Sequence, residues 1–332
     1  MKILLTGSEG FIGSHLTEEL VKSGFKIKCF VLYNSFNSYG WLTNLKKEVL
    51  DNCEIIFGDI RDINSVKSAV KGADVIIHLA ALIGIPYSYN ASDSYIDTNI
   101  KGTLNLLNIA KNSNITKFIH TSTSEVFGSA QYLPMDEDHP VNCQSPYAAS
   151  KAGADNLVMS YQKSFGLPVS IIRPFNTFGP RQSLRAVIPT IISQTLFNKG
   201  KIKLGNTKTK RDYTYVKDTV NAFKLAIRNS KCIGEQINIG NNFDISIKDI
   251  VKTVEKITSI KTQIILDNQR VRPKNSEVEN LKSSNNKAKR ILNWKPKLEG
   301  KKGFQIGLEK TINWIYDNKE SFLKDKTRKY II

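Results

Sequence analysis

The stretch "LLTGSEGFIGSHL", Leu4 to Leu16, constrains this chain more than any other. An apolar strand runs into three glycines, Gly7, Gly10 and Gly13, and then into a segment of helical period. Gly7 permits the tight turn, Gly10 lets backbone approach a pyrophosphate, and Gly13 allows the helix to pack closely on the strand. The helix N-terminus, with Phe11 and Ile12 in its first turn, meets the negative charge with unpaired N–H groups. A glycine triplet alone is a weak signal. At the first strand-to-helix joint it is a strong one, and it predicts a dinucleotide site.

The rest of the first half supplies the context that such a joint needs. Apolar runs at KILLTG, IKCFVL, EIIFGD, DVIIHLAA, KFIHTSTS and VSIIRPF alternate with helix-period segments such as SHLTEELVKSG, INSVKSAVKG and NLLNIAKNS. Continuous apolar strands with helical crossovers mean a parallel sheet covered on both faces. EQINIG follows the helix DTVNAFKLAIRN and is expected to join the same sheet. From about Thr177 to Arg211, and again after Asn241, the pattern loosens into loops and short helices. The expected architecture is α/β: a Rossmann-type doubly wound parallel sheet with a smaller mixed α/β substrate-binding lobe. Residues 1–176, with 212–241 returning, make the dinucleotide-binding domain, and 177–211 with 242–332 make the lobe.

A compact chain of 332 residues buries roughly 75% of its unfolded surface and needs no staples. Cys29, Cys53, Cys143 and Cys232 are scattered without paired spacing, which reads as reduced thiols and neither a disulfide frame nor a metal site. The opening MKILLTG reads as a buried strand and not as a signal peptide, and no run is long enough to span a bilayer. A cytoplasmic protein without membrane contact is expected. The formal net charge of +18 is spread over lysines along the whole chain, ending in "LKDKTRKY". No nucleic-acid-binding motif accompanies it, so it reads as a solvated surface, and no nucleic-acid partner is expected.

An NAD site usually has an acidic residue at the end of the second strand to hold the ribose hydroxyls. Here "FVLYNSFNSYG" offers neither Asp nor Glu, so Asn34 or Ser35 is expected to bind the ribose neutrally. No arginine stands there for a 2′-phosphate, which favours NAD and leaves NADP open. Asp59 and Ile60 in "GDIRD" end the third strand, where they flank adenine; Leu79, Ala80 and Ala81 in "HLAAL" end the fourth, where small residues let the cofactor pass. "SPYAASKAGADNLV" sets Tyr147 and Lys151 four residues apart at the start of a helix, on one face. With that ammonium and the cofactor's positive ring nearby, Tyr147 can exchange a proton with a sugar hydroxyl near neutral pH.

These segments, with "TSTSEVFG", "RPFNTFGPRQ", "RDYTYVKD" and "RPKNSEVENL", resemble an extended short-chain dehydrogenase/reductase of the nucleotide-sugar epimerase/dehydratase family over nearly the whole length. The resemblance implies a nucleotide-diphosphate sugar as substrate, with Asn176 and Arg211 binding the diphosphate or nucleotide and Arg272 and Glu277 closing the pocket. It adds Asn99 and Pro174 to the cofactor set. It also implies a homodimer or homotetramer in which the Asn99 helix and the Tyr147 helix form a bundle.

Glu125 then selects among the reactions of the family. Related 4-epimerases resemble "SSAAVYG" at this place, without a carboxylate. The 4,6-dehydratases need a base: once C4 is a ketone, a carboxylate takes the C5 proton while the C6 hydroxyl leaves as water, and the hydride returns to C6. Glu125 stands where that base would stand, and Thr123 would bond the C4 oxygen beside Tyr147. Ser124 replaces the Asp of dehydratases acting on deoxythymidine-diphosphate-glucose, as in those resembling the GDP-mannose type. Glu125 is therefore expected to take the C5 proton and deliver it to the leaving oxygen. Phe127 stands where the family has a tyrosine, which alters packing.

"YNSFNSYGWL" resembles a signature of NDP-N-acetylglucosamine 4,6-dehydratases of legionaminic-acid-type pathways; it also reads as an aromatic loop on the adenine side. The expected substrate is GDP- or UDP-GlcNAc. UDP-glucuronate decarboxylases resemble "TSEVYG" as well and add an arginine for the substrate carboxylate, for which Arg181 and Arg185 are candidates. That reaction, 4-epimerisation and a non-catalytic cofactor-bound sensor or scaffold stay open as alternatives.

Overall fold

The structure, a computed structural model, describes residues 1–320; the basic end "LKDKTRKY" and the last part of the expected lobe lie outside the described residues. The strands, in chain order, are β1 (Lys2–Thr6), β2 (Lys26–Leu32), β3 (Cys53–Gly58), β4 (Val75–His78), β5 (Lys117–Thr121), β6 (Val169–Pro174), β7 (Asn176–Phe178), β8 (Lys201–Leu204), β9 (Lys210–Tyr215), β10 (Gln236–Ile239), β11 (Asp244–Ser246), β12 (Gln263–Leu266) and β13 (Asn280–Leu281).

Seven of them form one sheet in the order β3-β2-β1-β4-β5-β6-β10, and every pair is parallel. Strand β10 lies within EQINIG, which joins the sheet as expected. Successive residues alternate between faces, as strand geometry requires: Ile3 and Leu5 enter one apolar cluster and Leu4 the other. Burial on both faces is why these strands read as continuous apolar runs. The strand order reverses between β1 and β4, so a crevice opens at their carboxyl ends. Thr6 pairs with His78 there, which brings Gly7 and the Leu79–Ala80 segment to the same crevice.

A second sheet is built around β9, which pairs antiparallel with β11 and parallel with β13 and β7; β8 and β12 make a separate parallel pair. Asp212, fully buried on β9, holds this region together. Its carboxylate accepts Asn241 N at 2.7 Å and Ser283 N at 3.1 Å. Burial pushes its carboxyl up to about 7 against those two bonds. The segment carrying Arg272 and Glu277 is tied to the large sheet's side at three points. Gln144 Nε2 donates to Asn275 O (2.8 Å), Ser276 Oγ to Gln144 O (2.5 Å), and Tyr89 Oη meets Ser276 Oγ at 2.6 Å. That clasp sits three residues before Tyr147. No helix among the described residues is long and apolar enough to cross a membrane.

Candidate active site

The crevice between β1 and β4 is shaped by glycine. Gly7 has φ of +68°, and a Cβ on it would lie 2.8 Å from Ala80 N; a Cβ on Gly13 would lie 2.1 Å from Gly7 O. No larger residue fits either place. The helix Phe11–Lys22 begins at Gly10 with no side-chain cap and no acid in its first turn, so its first N–H groups face the crevice without an internal partner. The cradle therefore fits the diphosphate of a dinucleotide. Leu79 N and Ala80 N donate to Thr6 O and Thr6 Oγ1, which keeps the wall opposite Gly7 small and close.

The end of β2 is where a ribose ligand is expected. Asn34 is engaged within its own turn: its amide nitrogen donates to Leu32 O and Ser38 O, and its oxygen accepts Phe36 N and Ser38 N. Ser35 is exposed. Tyr33 and Phe36 are exposed too, while Tyr39 packs edge-on against Phe57 and Trp41 against Trp314. A carboxylate does reach the end of β2, but from the glycine turn: Glu9 Oε1 accepts Leu32 N at 3.0 Å. Its signal in the sequence was an acid inside the glycine triplet. Asp59, at the end of β3, is held by a bidentate Arg61 contact that keeps its carboxyl below the usual range. Ile60 beside it is buried, and Asn105 Nδ2 donates to Ile60 O. Asn99 lies in a widened π turn, Ile96–Lys101. Its amide clasps Leu82 N and Leu82 O and donates to Ser150 Oγ, joining the loop after β4 to the Tyr147 helix. Pro174 is paired opposite Ile239 at the end of β6.

Strand β5 ends in the hydroxyl-rich stretch, and Thr123 caps the short 3-10 turn Ser124–Phe127 by accepting Glu125 N at 3.3 Å. This turn points Glu125 inward and seats Phe127 in a small core with Val126, Met135, Phe175, Val278 and Leu281. The Arg173 guanidinium lies 4.7 Å from the Phe127 ring centre. Ser124 is buried beside them. The helix Pro146–Phe165 starts with Pro146 in its first turn and with the Ser145 hydroxyl accepting Ala148 N, a favourable start for a helix. Tyr147 and Lys151 follow one turn apart, both buried. Burial pushes the Tyr147 phenol up, opposed by its hydrogen bond with Thr123. Burial also pulls the Lys151 ammonium down to about 8, opposed by Asp155. Asp155 is itself paired with Arg173 at 3.1 Å.

Residues distant in sequence meet at Glu125. Its carboxylate lies 3.9 Å from Arg211 Nε and 3.8 Å from Arg272 Nη1. Glu277 lies 3.7 Å from Arg211 Nη2 and 3.9 Å from Arg272 Nη1. These are ion-pair distances longer than hydrogen bonds, and Arg272 Nη1 is buried with no hydrogen-bond partner, as is Asn176 Oδ1. Two of the expected substrate ligands thus hold unsatisfied polar atoms, a condition a bound polar ligand relieves. Arg181 instead pairs with Glu18 at 3.1 Å on the first helix. Arg185 is exposed. Burial pushes the phenol of Tyr95 up to about 12, opposed by the Arg185 charge, and the Tyr95 ring stands edge-on to Tyr147 at 6.2 Å.

A family model described as "GDP-mannose 4,6 dehydratase" matches residues 4–306. The chain belongs to this family. Among curated members of the wider group, a dTDP-D-glucose 4,6-dehydratase of Dictyostelium discoideum is 37% identical over 77% of this chain and 62% of its own length. A UDP-N-acetyl-alpha-D-glucosaminuronate decarboxylase of Bacillus cytotoxicus is 34% identical over 95% of this chain and 97% of its own. A crystal structure of the UDP-glucuronic acid 4-epimerase of Bacillus cereus, solved with UDP-glucuronic acid and NAD, superposes with a TM-score of 0.85 at 29% identity, covering 96% of this chain and 100% of that one. Members of the GDP-mannose 4,6 dehydratase family and these relatives share one fold and divide among dehydration, decarboxylation and epimerisation of nucleotide sugars. This chain is an enzyme of that nucleotide-sugar group.

Proposed function

We propose that the protein is a 4,6-dehydratase acting on a nucleotide-activated N-acetylhexosamine, GDP- or UDP-GlcNAc, and releasing the 4-keto-6-deoxy product and water. The observation that carries this reading is the buried carboxylate of Glu125, one turn of chain from Thr123 and facing Arg211 and Arg272. A 4-epimerase has no use for a base at that place. The resemblance of "YNSFNSYGWL" to the legionaminic-acid-type dehydratases supports the N-acetylhexosamine.

The cofactor is NAD. It would be held by the glycine turn, the first helix's N-terminus and the Lys151 ammonium. The chemistry that bound NAD supplies is reversible two-electron acceptance, from C4 and back to C6, so turnover leaves it unchanged. Tyr147 takes the proton of the C4 hydroxyl, with Thr123 bonding the same oxygen and Lys151 supplying positive charge that lowers the cost of the phenolate. Glu125 removes the C5 proton that the C4 ketone has made acidic and passes it to the C6 oxygen, which departs as water. As the hydride returns to C6, C5 takes up one proton, the equivalent of the one Tyr147 removed from the C4 hydroxyl, which completes the 4-keto-6-deoxy product. Ser124 is too weak an acid to protonate that oxygen by itself. Arg211, Arg272 and Asn176 bind the diphosphate end, which holds the sugar against Tyr147 and Glu125.

Decarboxylation of a nucleotide-activated uronate is the second reading. It is favoured by the likeness to the Bacillus cytotoxicus UDP-N-acetyl-alpha-D-glucosaminuronate decarboxylase over 95% of this chain. The test is to incubate the protein and NAD with GDP-GlcNAc, UDP-GlcNAc and UDP-glucuronate and follow product mass. Loss of one water from a GlcNAc substrate supports the dehydratase and names the nucleotide. Release of carbon dioxide from the uronate, or a 4-epimer of unchanged mass, overturns it. A dimer or tetramer built on the helices carrying Asn99 and Tyr147 is proposed as well, and mass in solution tests it.

A further inference from the structure

We propose that Glu9, inside the glycine turn, is the carboxylate that receives the adenosine ribose of the dinucleotide and selects NAD over NADP. The second strand carries no acid at its end, and Asn34, the neutral alternative, has both ends of its amide engaged in its own turn. The Glu9 carboxylate lies at that same corner, where Oε1 accepts Leu32 N at 3.0 Å. Its second oxygen, Oε2, is buried and has no hydrogen-bond partner. A role confined to tying the turn to β2 accounts for Oε1 and leaves Oε2 unexplained.

The surroundings hold the group in place. Glu9 O accepts Trp41 N at 3.0 Å, and a Cβ on Gly40 would lie 2.7 Å from Glu9 O, so the Gly40–Asn44 turn wraps closely around it. Burial raises the Glu9 carboxyl above the usual range, opposed by the backbone N–H groups of Leu32 and of Glu9 itself. A ribose diol offers two O–H donors and would satisfy the free oxygen. A 2′-phosphate offers acceptors and negative charge, and would be repelled. No lysine or arginine occurs from Tyr33 to Leu45 to offset that repulsion, and Arg61, at the end of β3, is bound to Asp59.

The inference rests on NAD as the cofactor, which the wild-type titration tests separately. Nucleotide-free protein is titrated calorimetrically with NAD and with NADP, as wild type, Glu9→Gln and Glu9→Ala, and the melting temperature of each is recorded. Gln keeps an oxygen for Leu32 N and removes the charge. The expected result is wild-type preference for NAD, weakened by about tenfold to a hundredfold in NAD affinity on loss of a charge-assisted bond, with the NAD-to-NADP ratio narrowing by about tenfold or more in both variants. An unchanged ratio overturns the proposal, whether the variants bind normally or lose both nucleotides equally. Wild type that binds neither nucleotide overturns the cofactor assignment and the proposal together.

Discussion

Replacing Glu125 with Gln separates binding from chemistry at this site. The substitution keeps the shape and the bond from Glu125 N to Thr123 Oγ1, and removes one negative charge from a group of two carboxylates and two guanidiniums. A positioned acid–base group contributes about 10²–10⁴-fold, or on the order of 3–5 kcal/mol of barrier. Because Glu125 is asked both to take the C5 proton and to deliver it, the loss should approach the upper end. Binding should move the other way. Arg211 Nε and Arg272 Nη1 lie 3.9 and 3.8 Å from the Glu125 carboxylate, and at that range a unit charge pair is worth about 4 kcal/mol before desolvation at an effective dielectric near 20. Freed of that competitor, the two arginines should hold a nucleoside diphosphate as tightly as before or up to about tenfold more tightly. The assay is product mass together with deuterium uptake at C5 in heavy water, alongside calorimetric titration of GDP and UDP. A variant that still makes product within about threefold of wild type, or still exchanges C5, would refute the assignment of Glu125 as the base.

Other consequences are open to measurement. Lys151 has its pKa depressed by burial to about 8 from 10.5, so its ammonium is present below about pH 8 and lost above it, and kcat/KM should fall with unit slope over that alkaline range. The same depression means the buried charge destabilises the fold below about pH 8 and that this cost fades as pH rises toward 10.5; Lys151→Met should therefore be inactive yet more stable at pH 7, by roughly 3 kcal/mol or less, in urea unfolding. Phe127→Ala empties the small core under the Glu125 turn and the cation–π contact with Arg173, and should cost about 3–5 kcal/mol, read in the same assay. Gly13→Ala sets a Cβ 2.1 Å from Gly7 O; the turn must open, and NAD binding should be lost in calorimetry even where the fold survives.

Much of the fold was legible because it depends on local patterns. Apolar runs such as VIIH and VSIIRP are buried end to end, and their alternation with helical segments implied the parallel sheet, including β10 at its edge. The glycine triplet located the crevice, because only residues without a Cβ fit against Gly7 O and Ala80 N. Tyr147 and Lys151 were legible as one helix turn, and Glu125 as an acid at a strand end. The corner at the end of β2, proposed for the adenosine ribose, was not legible in the same way. An acid is expected at the end of the second strand, and the carboxylate that lies there comes from Glu9, which contacts Leu32 from 23 residues away. Asn34, a ribose ligand by position, is engaged by its own turn, where its side-chain amide meets Leu32 O, Ser38 O and the N–H groups of Phe36 and Ser38.

What the sequence determined by itself is therefore the scaffold and the kinds of group available for chemistry, since strand period, helix period and glycine sterics act between near neighbours. Only the tertiary structure decided which of those groups meet. Arg211 on β9 and Arg272 with Glu277 on the clasped segment converge on Glu125. They do so because β9 pairs with β7 just beyond the end of β6, and because Gln144 and Tyr89 hold the Arg272 segment over the Tyr147 helix. Those placements come from packing between segments distant in the chain, and no local period encodes them.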